Sequence, residues 1–212
     1  SAKSVDLQCS CNARFPAPGN LHGQDAVDLK GHQVQHRRDG DVSGLYFDSD
    51  LKADDARKVS IGVVSPLKGQ RADCAWFRGG WFDALTMLTN DLLQGKLKHA
   101  PASPPTLKEG RARFGATLFW NLKLAPGETA EIPLIYTWHA ANTDLRQGHG
   151  TDGCCDTYSP FYGTLYDDAW DVARYAVDHH DTLHQRTRRF HRALFRTSLP
   201  NYVLDAISAN LA

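Results

Sequence analysis

The chain reads as mainly β with C-terminal helices: an antiparallel β-sandwich followed by a long helix. Three stretches predict this. "KVSIGVVSP" at 58–66 is β-branched, apolar and closed by a proline, as strands often are. Phe114, Ala116, Leu118, Trp120, Leu122 and Leu124 alternate with the residues between them, the period a strand with a buried face requires. "AWDVARYAVDHHDTLHQRTRRFHRALF", Ala169 to Phe195, is amphipathic and contains neither Gly nor Pro.

The elements follow in chain order. Residues 1–57 are polar and Gly-containing, with one possible strand at "GLYFDSD", 44–50. After the strand at 58–66, "ADCAWF" at 72–77 is a candidate for another. In "GGWFDALTMLTNDLLQGK", Phe82, Leu85, Leu88 and Leu92 recur at helical spacing and Gly95 supplies a stop. "HAPASPPTLKEG" at 99–110 is Pro-rich and reads as a surface loop. The apolar runs 112–124 and 132–140 flank "APGETA", where Pro126-Gly127 is strong turn chemistry, so the two are expected to be neighbouring antiparallel strands. Residues 141–166 form a loop rich in Gly, Asp and Tyr. The long helix is expected over about 167–197. Asp167 or Asp168 caps it, and Arg186, Arg188, Arg189 and Arg192 lie toward its later turns, which suits the helix dipole. Ser198 is the expected cap of a last helix, with Pro200 in its first turn.

Composition narrows the function classes. The chain has 212 residues, is 42% hydrophobic, and carries 24 basic and 24 acidic residues. A zero net charge argues against general nucleic-acid binding, which needs a basic excess to neutralise phosphates. No apolar run approaches the roughly 20 residues that span a bilayer. The N-terminus lacks an apolar signal core and begins at Ser1 rather than Met, consistent with a processed or excised piece. The five cysteines, Cys9, Cys11, Cys74, Cys154 and Cys155, are odd in number, and neither close pair suits a disulfide. Reduced thiols in a cytoplasmic protein are the expectation. Only Glu109, Glu128 and Glu131 are Glu, and all three fall in turn or loop contexts.

Several motifs carry potential chemistry. His180 and His184 in "HDTLH" have the i, i+4 spacing of zinc proteases, but Asp181 stands where the catalytic Glu is needed. "CSC" at 9–11 and "CC" at 154–155 offer four thiolates without the spacing of paired knuckles. Asp48, Asp50, Asp54 and Asp55 make an acidic loop that lacks the EF-hand Gly and terminal Glu. Each is more simply a solvated surface, and no metal or other cofactor is expected. Trp76, Trp81 and Trp120 would stack on sugar rings if exposed. Trp120 sits on the apolar register and is expected in the core, which leaves Trp81 as the candidate substrate-binding residue.

"WFRGGWFDALTMLTNDLLQGK", "LAPGETAEIPLIYTWHAANTD" and "YDDAWDVARYAVDHHDTLHQRTRRFHRALFRTSLPNYVLDAISANL" together resemble glycoside hydrolase family 116. That family includes bacterial β-glucosidases and the non-lysosomal glucosylceramidase. The resemblance spans roughly 44–212, and its C-terminal third is the most specific part. It implies an N-terminal β-sandwich at 1–160, incomplete at its start. Residues 161–212 would be a linker helix and the first helix of an (α/α)6 catalytic barrel. The family's retaining pair, a Glu nucleophile and an Asp acid/base about 5–5.5 Å apart, would lie beyond Ala212. No catalytic residue is therefore assigned within the chain. The implied partners are the barrel of the same parent chain and a β-glucoside or glucolipid substrate. The alternative is a stand-alone carbohydrate-binding β-sandwich with Trp81 or Trp76 as its platform. A metal-dependent hydrolase on His180 and His184 is the third reading.

Overall fold

The computed structural model describes residues 3–14, 33–76, 84–102, 115–143 and 158–209. The chain divides into two compact units, Ser1–Arg174 and Tyr175–Ala212.

The first unit holds two antiparallel sheets. Strands β1 (Val5–Arg14), β6 (Gly115–Leu124) and β5 (Arg71–Asp73) form one, in the order β1-β6-β5. Strands β2 (Gln33–Asp39), β3 (Val42–Asp48), β4 (Val59–Ser65) and β7 (Ile135–Ala140) form the other, in the order β2-β3-β4-β7. Both sheets contribute to one apolar cluster. Val34, Leu45, Phe47 and Val63 come from the four-stranded sheet, and Ala72, Ala116, Leu118 and Trp120 from the three-stranded one. The alternation in β6 thus places its apolar residues as expected. Its other face is also covered, because Phe119 packs with Trp76, Leu88 and Leu97 in a second cluster.

Two strands in the polar N-terminal region escape sequence reasoning. In β1, Val5, Leu7, Cys9, Cys11 and Ala13 pair with Leu124, Leu122, Trp120, Leu118 and Ala116. Cysteine fills apolar positions here as a small hydrophobe, so the period of two is real but disguised. Strand β2, "QVQHRRD", is an edge strand with only Val34 buried, and so carries little apolar signal. A two-residue turn at Gly40-Asp41 joins it to β3. Gly40 has φ 57°, which such tight hairpins demand.

The segment between β6 and β7 corrects one expectation. Pro126-Gly127 does form the turn: Gly127 has φ 79°, and Glu128 N–H donates to the Ala125 carbonyl at 3.0 Å. Yet β6 and β7 are not hydrogen-bonded neighbours. The ten residues between them carry the chain from one sheet to the other.

Helix α1 (Ala84–Leu93) ends at Gly95, φ 61°. Gly95 N–H bonds the Leu92 carbonyl and Lys96 N–H that of Asp91, the paired closure of a Schellman end. Residues 99–102, expected at the start of a surface loop, belong instead to a strap at 97–102 bonded to both sheets. Cys74 N–H donates to Ala100 O and Ala100 N–H to Ala72 O, while His36 N–H donates to Pro101 O.

The expected single long helix is two: α2 (Ala169–Asp178) and α3 (His180–Phe195). His179 between them adopts φ −111° and ψ 9°, and its ring packs edge-on against Tyr175 at 4.4 Å. One backbone bond is kept on each side of the break, from His179 N to Tyr175 O and from Leu183 N to His179 O, while His179 itself leaves the helical geometry. Helix α4 (Asn201–Ser208) follows. Its N-cap is Pro200, with no side-chain cap bond, so Ser198 does not play the role expected of it.

Candidate functional site

The densest polar constellation lies where α2 begins on the four-stranded sheet. Register places Tyr46, Gly62 and Thr137 side by side on the face opposite Leu45, Phe47 and Val63. Gly62 leaves the space the helix needs. A Cβ there would fall 2.5 Å from Thr137 Oγ1 and 3.5 Å from the Ala169 carbonyl oxygen. Ser60 Oγ accepts from Ala169 N–H at 2.8 Å, and Thr137 Oγ1 donates to the Ala169 carbonyl at 2.8 Å. Both polar backbone groups of the first helical residue are thereby satisfied in a buried setting. Asp168 is the N-cap, accepting from Asp171 N–H at 2.8 Å through Oδ1. That part of the sequence expectation holds.

The other oxygen of Asp168 faces the sheet. Tyr46 OH donates to Oδ2 at 2.9 Å, and Arg37 Nη1 stands 3.7 Å from it. The Arg37 guanidinium lies 5.2 Å from the Tyr46 ring centre and 4.9 Å from that of Trp170. Tyr46 is held neutral to well above its ordinary range. Burial is the main cause, followed by the negative charges of Asp48 and Asp168. Arg174 closes the outer edge, bonding Asp171 at 2.7 Å and standing 3.9 Å from Asp39. The carboxylates are thus occupied by a cation, a phenol or a backbone amide. Such an arrangement holds a helix on a sheet. Nothing in the sequence pattern announces it, because Arg37 and Asp168 stand far apart in the chain.

The aromatic candidates separate clearly. Trp120 is in the core. Trp76 is also buried, at 3% exposure, and its Nε1 donates to Thr117 Oγ1 at 2.9 Å, so it is no stacking platform. The reason is Gly115, where an added Cβ would lie 2.2 Å from the indole. Trp81 lies outside the described residues. Sequence reasoning passed over Trp138, which is 67% exposed on the edge strand β7. Tyr136, two residues before it, shares its face and is exposed too, with its hydroxyl 2.7 Å from Cys11 Sγ. That contact, with a smaller contribution from burial, raises the Tyr136 hydroxyl to about 12. Alternation in "YTWHA" was the available signal.

The remaining motifs are dispersed. His180 and His184 are exposed on α3 with ring centres 6.0 Å apart, and His180 Nδ1 contacts Asp181 at 3.1 Å. Asp48 pairs with Lys58 at 2.7 Å and Asp55 with Arg57 at 2.8 Å, so the acidic loop is partly neutralised by its own cations. Cys9 and Cys11 are free thiols on β1, while Cys154 and Cys155 lie outside the described residues, as does Glu109. Glu128 accepts from Ala125 N–H at 2.7 Å and locks the turn. Among the described residues, no group of three or more His, Cys, Asp or Glu side chains is placed to hold a metal ion, and no helix is long and apolar enough to cross a membrane.

Comparison with known families decides the membership. The profile described as "beta-glucosidase 2, glycosyl-hydrolase family 116 N-term" matches residues 11–183. The chain belongs to this family. The match begins inside β1, upstream of the resemblance read at 44–212, and closes in the first turn of α3. Apart from residues 5–10 of β1, both sheets fall within the match, as do α1 and the polar anchor of α2. No curated protein sequence matches the chain.

Proposed function

We propose that this chain is the non-catalytic sandwich and linker portion of a retaining β-glucosidase, similar to glucosylceramidase, in which it packs against an (α/α)6 catalytic barrel of the same parent chain. The single observation that carries the reading is the family match over 11–183, which contains the anchored start of α2. A helix fastened this firmly at one end is suited to fix the direction in which the chain leaves the sheets. The polar cluster that does the fastening offers no free carboxylate pair of the kind a retaining glycosidase uses. The chain on its own is expected not to hydrolyse an aryl β-glucoside. Turnover that follows the chain through purification would overturn the reading. The coding sequence beyond Ala212 provides the complementary check. An open frame running into a helical domain with a candidate Glu nucleophile and Asp acid/base supports the proposal.

A second reading, a stand-alone carbohydrate-binding module, is favoured by one observation: Trp138 and Tyr136 are exposed on the same face of β7. Strand geometry spaces their Cα atoms about 7 Å apart. β-Glucoside binding that is retained by the isolated chain and lost in Trp138→Ala would move this reading to the front.

A further inference from the structure

The strap at 97–102 stands apart from the site above and joins the two sheets at another edge. Its backbone bonds reach β2 through His36 and β5 through Ala72, with a third to Cys74 just beyond β5. Isolated bridges pair Gln35 with Ala102 and Asp73 with Ala100. The strap also carries Leu97, 7% exposed, into the cluster of Trp76, Leu88 and Phe119. Of its two titratable side chains, Lys98 and His99, the second meets His36 of β2 edge to face, ring centres 6.0 Å apart.

We propose that residues 97–102 form an acid-released latch, in which protonation of His36, whose ring faces the strap, detaches the strap from β2 and β5 while both sheets stay folded.

The groups around His36 give it nowhere to place a charge. On its own strand, Arg38 is cationic and directs Nη2 to the Gln70 carbonyl at 3.1 Å. From the strap comes His99, whose Nδ1 sits 3.2 Å from both Ala72 N and Ala72 O. From β3 comes the neutral Ser43 hydroxyl, 3.3 Å from His36 Nε2. From the β5 side come the neutral Gln70 side chain and the Cys74 thiol, which burial pushes up to about 12. Among the described residues that act on His36, none is a carboxylate. Burial above all, then Arg38, then His99, holds its imidazole down at about 4, with Gln70 opposing weakly. The sign follows by linkage. An opened strap returns His36 toward an ordinary value near 6.5, so the open form binds more protons between about pH 4 and 6.5. The latch is at full strength above that window and weakens as pH falls through it.

The test is amide exchange on the full chain at pH 7.5 and 5.0, corrected for the intrinsic chemical rate. Protection at the strap-bonded amides of His36, Cys74 and Ala100 is expected to fall about tenfold more than at Leu45, Val63 and Leu118. His36→Gln, which cannot be protonated, is expected to abolish that selective loss. Equal loss at all six amides, or selective loss that survives in His36→Gln, would overturn the latch. If His36→Gln fails to fold, the wild-type imidazole titration decides. Titration of His36 in step with the loss of protection at Ala100 upholds the proposal, and titration at an ordinary value with protection intact overturns it.

Discussion

The two units of this chain are built from different amounts of interior. In Ser1–Arg174, Leu45, Val63, Ala116 and Leu118 are each fully buried, and two sheets share the cluster they form. In Tyr175–Ala212, α3 has no buried residue and α4 only Leu204. Backbone hydrogen bonds are well formed in both. Helical ladders alone are marginal in water, and most helical stability in proteins comes from packing an apolar face. Regular structure and stability are therefore distributed differently along this chain. The first unit has both, and the second has mainly the former.

The contrast is sharpest under truncation of the same residue type in each unit. Phe47→Ala empties a site in the shared cluster where the side chain is 1% exposed, and is expected to cost about 3–5 kcal/mol in urea denaturation. A smaller loss would mean that the two sheets can close over the gap and that their interior is looser than its burial suggests. Intermediate in size is the anchor of α2. Asp168→Ala removes the cap bond to Asp171 and the acceptor of Tyr46 OH, and about 1–2 kcal/mol is expected, the cap being the larger part. The Arg37 pair adds little because both partners are about one-third exposed. Asp168→Asn should recover most of the loss, since an amide oxygen can still cap. The smallest effect belongs to Phe190→Ala on α3, where the ring is 56% exposed and a change within about 0.5 kcal/mol is expected. A large loss there would break the comparison and assign the second unit an interior of its own.

The same contrast governs how far the sequence could be read. Strands β4 and β6 were legible because their apolar residues are β-branched or strictly alternating. Helix α1 was legible through Leu88, Leu92 and the glycine stop. Strand β1 was hidden because Cys9 and Cys11, standing in its apolar register, drew attention as ligands. Strand β2 was hidden because an edge strand may be polar on most positions and still be held by the hairpin that follows it. The assignment of β6 and β7 to different sheets is a property of three-dimensional closure that turn chemistry does not encode. The break at His179 had no marker, since neither Gly nor Pro is present. Of the site, Asp168 as a cap was readable from local pattern, whereas its partners Arg37 and Tyr46 come from strands more than a hundred residues earlier. Whether Trp76, offered beside Trp81 as the platform of the alternative reading, is exposed was not readable for a related reason: exposure depends on what lies opposite, and what lies opposite is a glycine.

That glycine makes positions 76 and 115 a single unit of variation. The indole occupies the volume where any other residue at 115 would place its side chain. A methyl group can enter at 115 only if the ring at 76 shrinks or turns, and turning it would give up the bond to Thr117, whose hydroxyl in turn donates to Asn12. A repertoire of variants that fold should therefore contain the two changes together far more often than either alone, and a designer wishing to alter this end of the three-stranded sheet would have to move both letters at once.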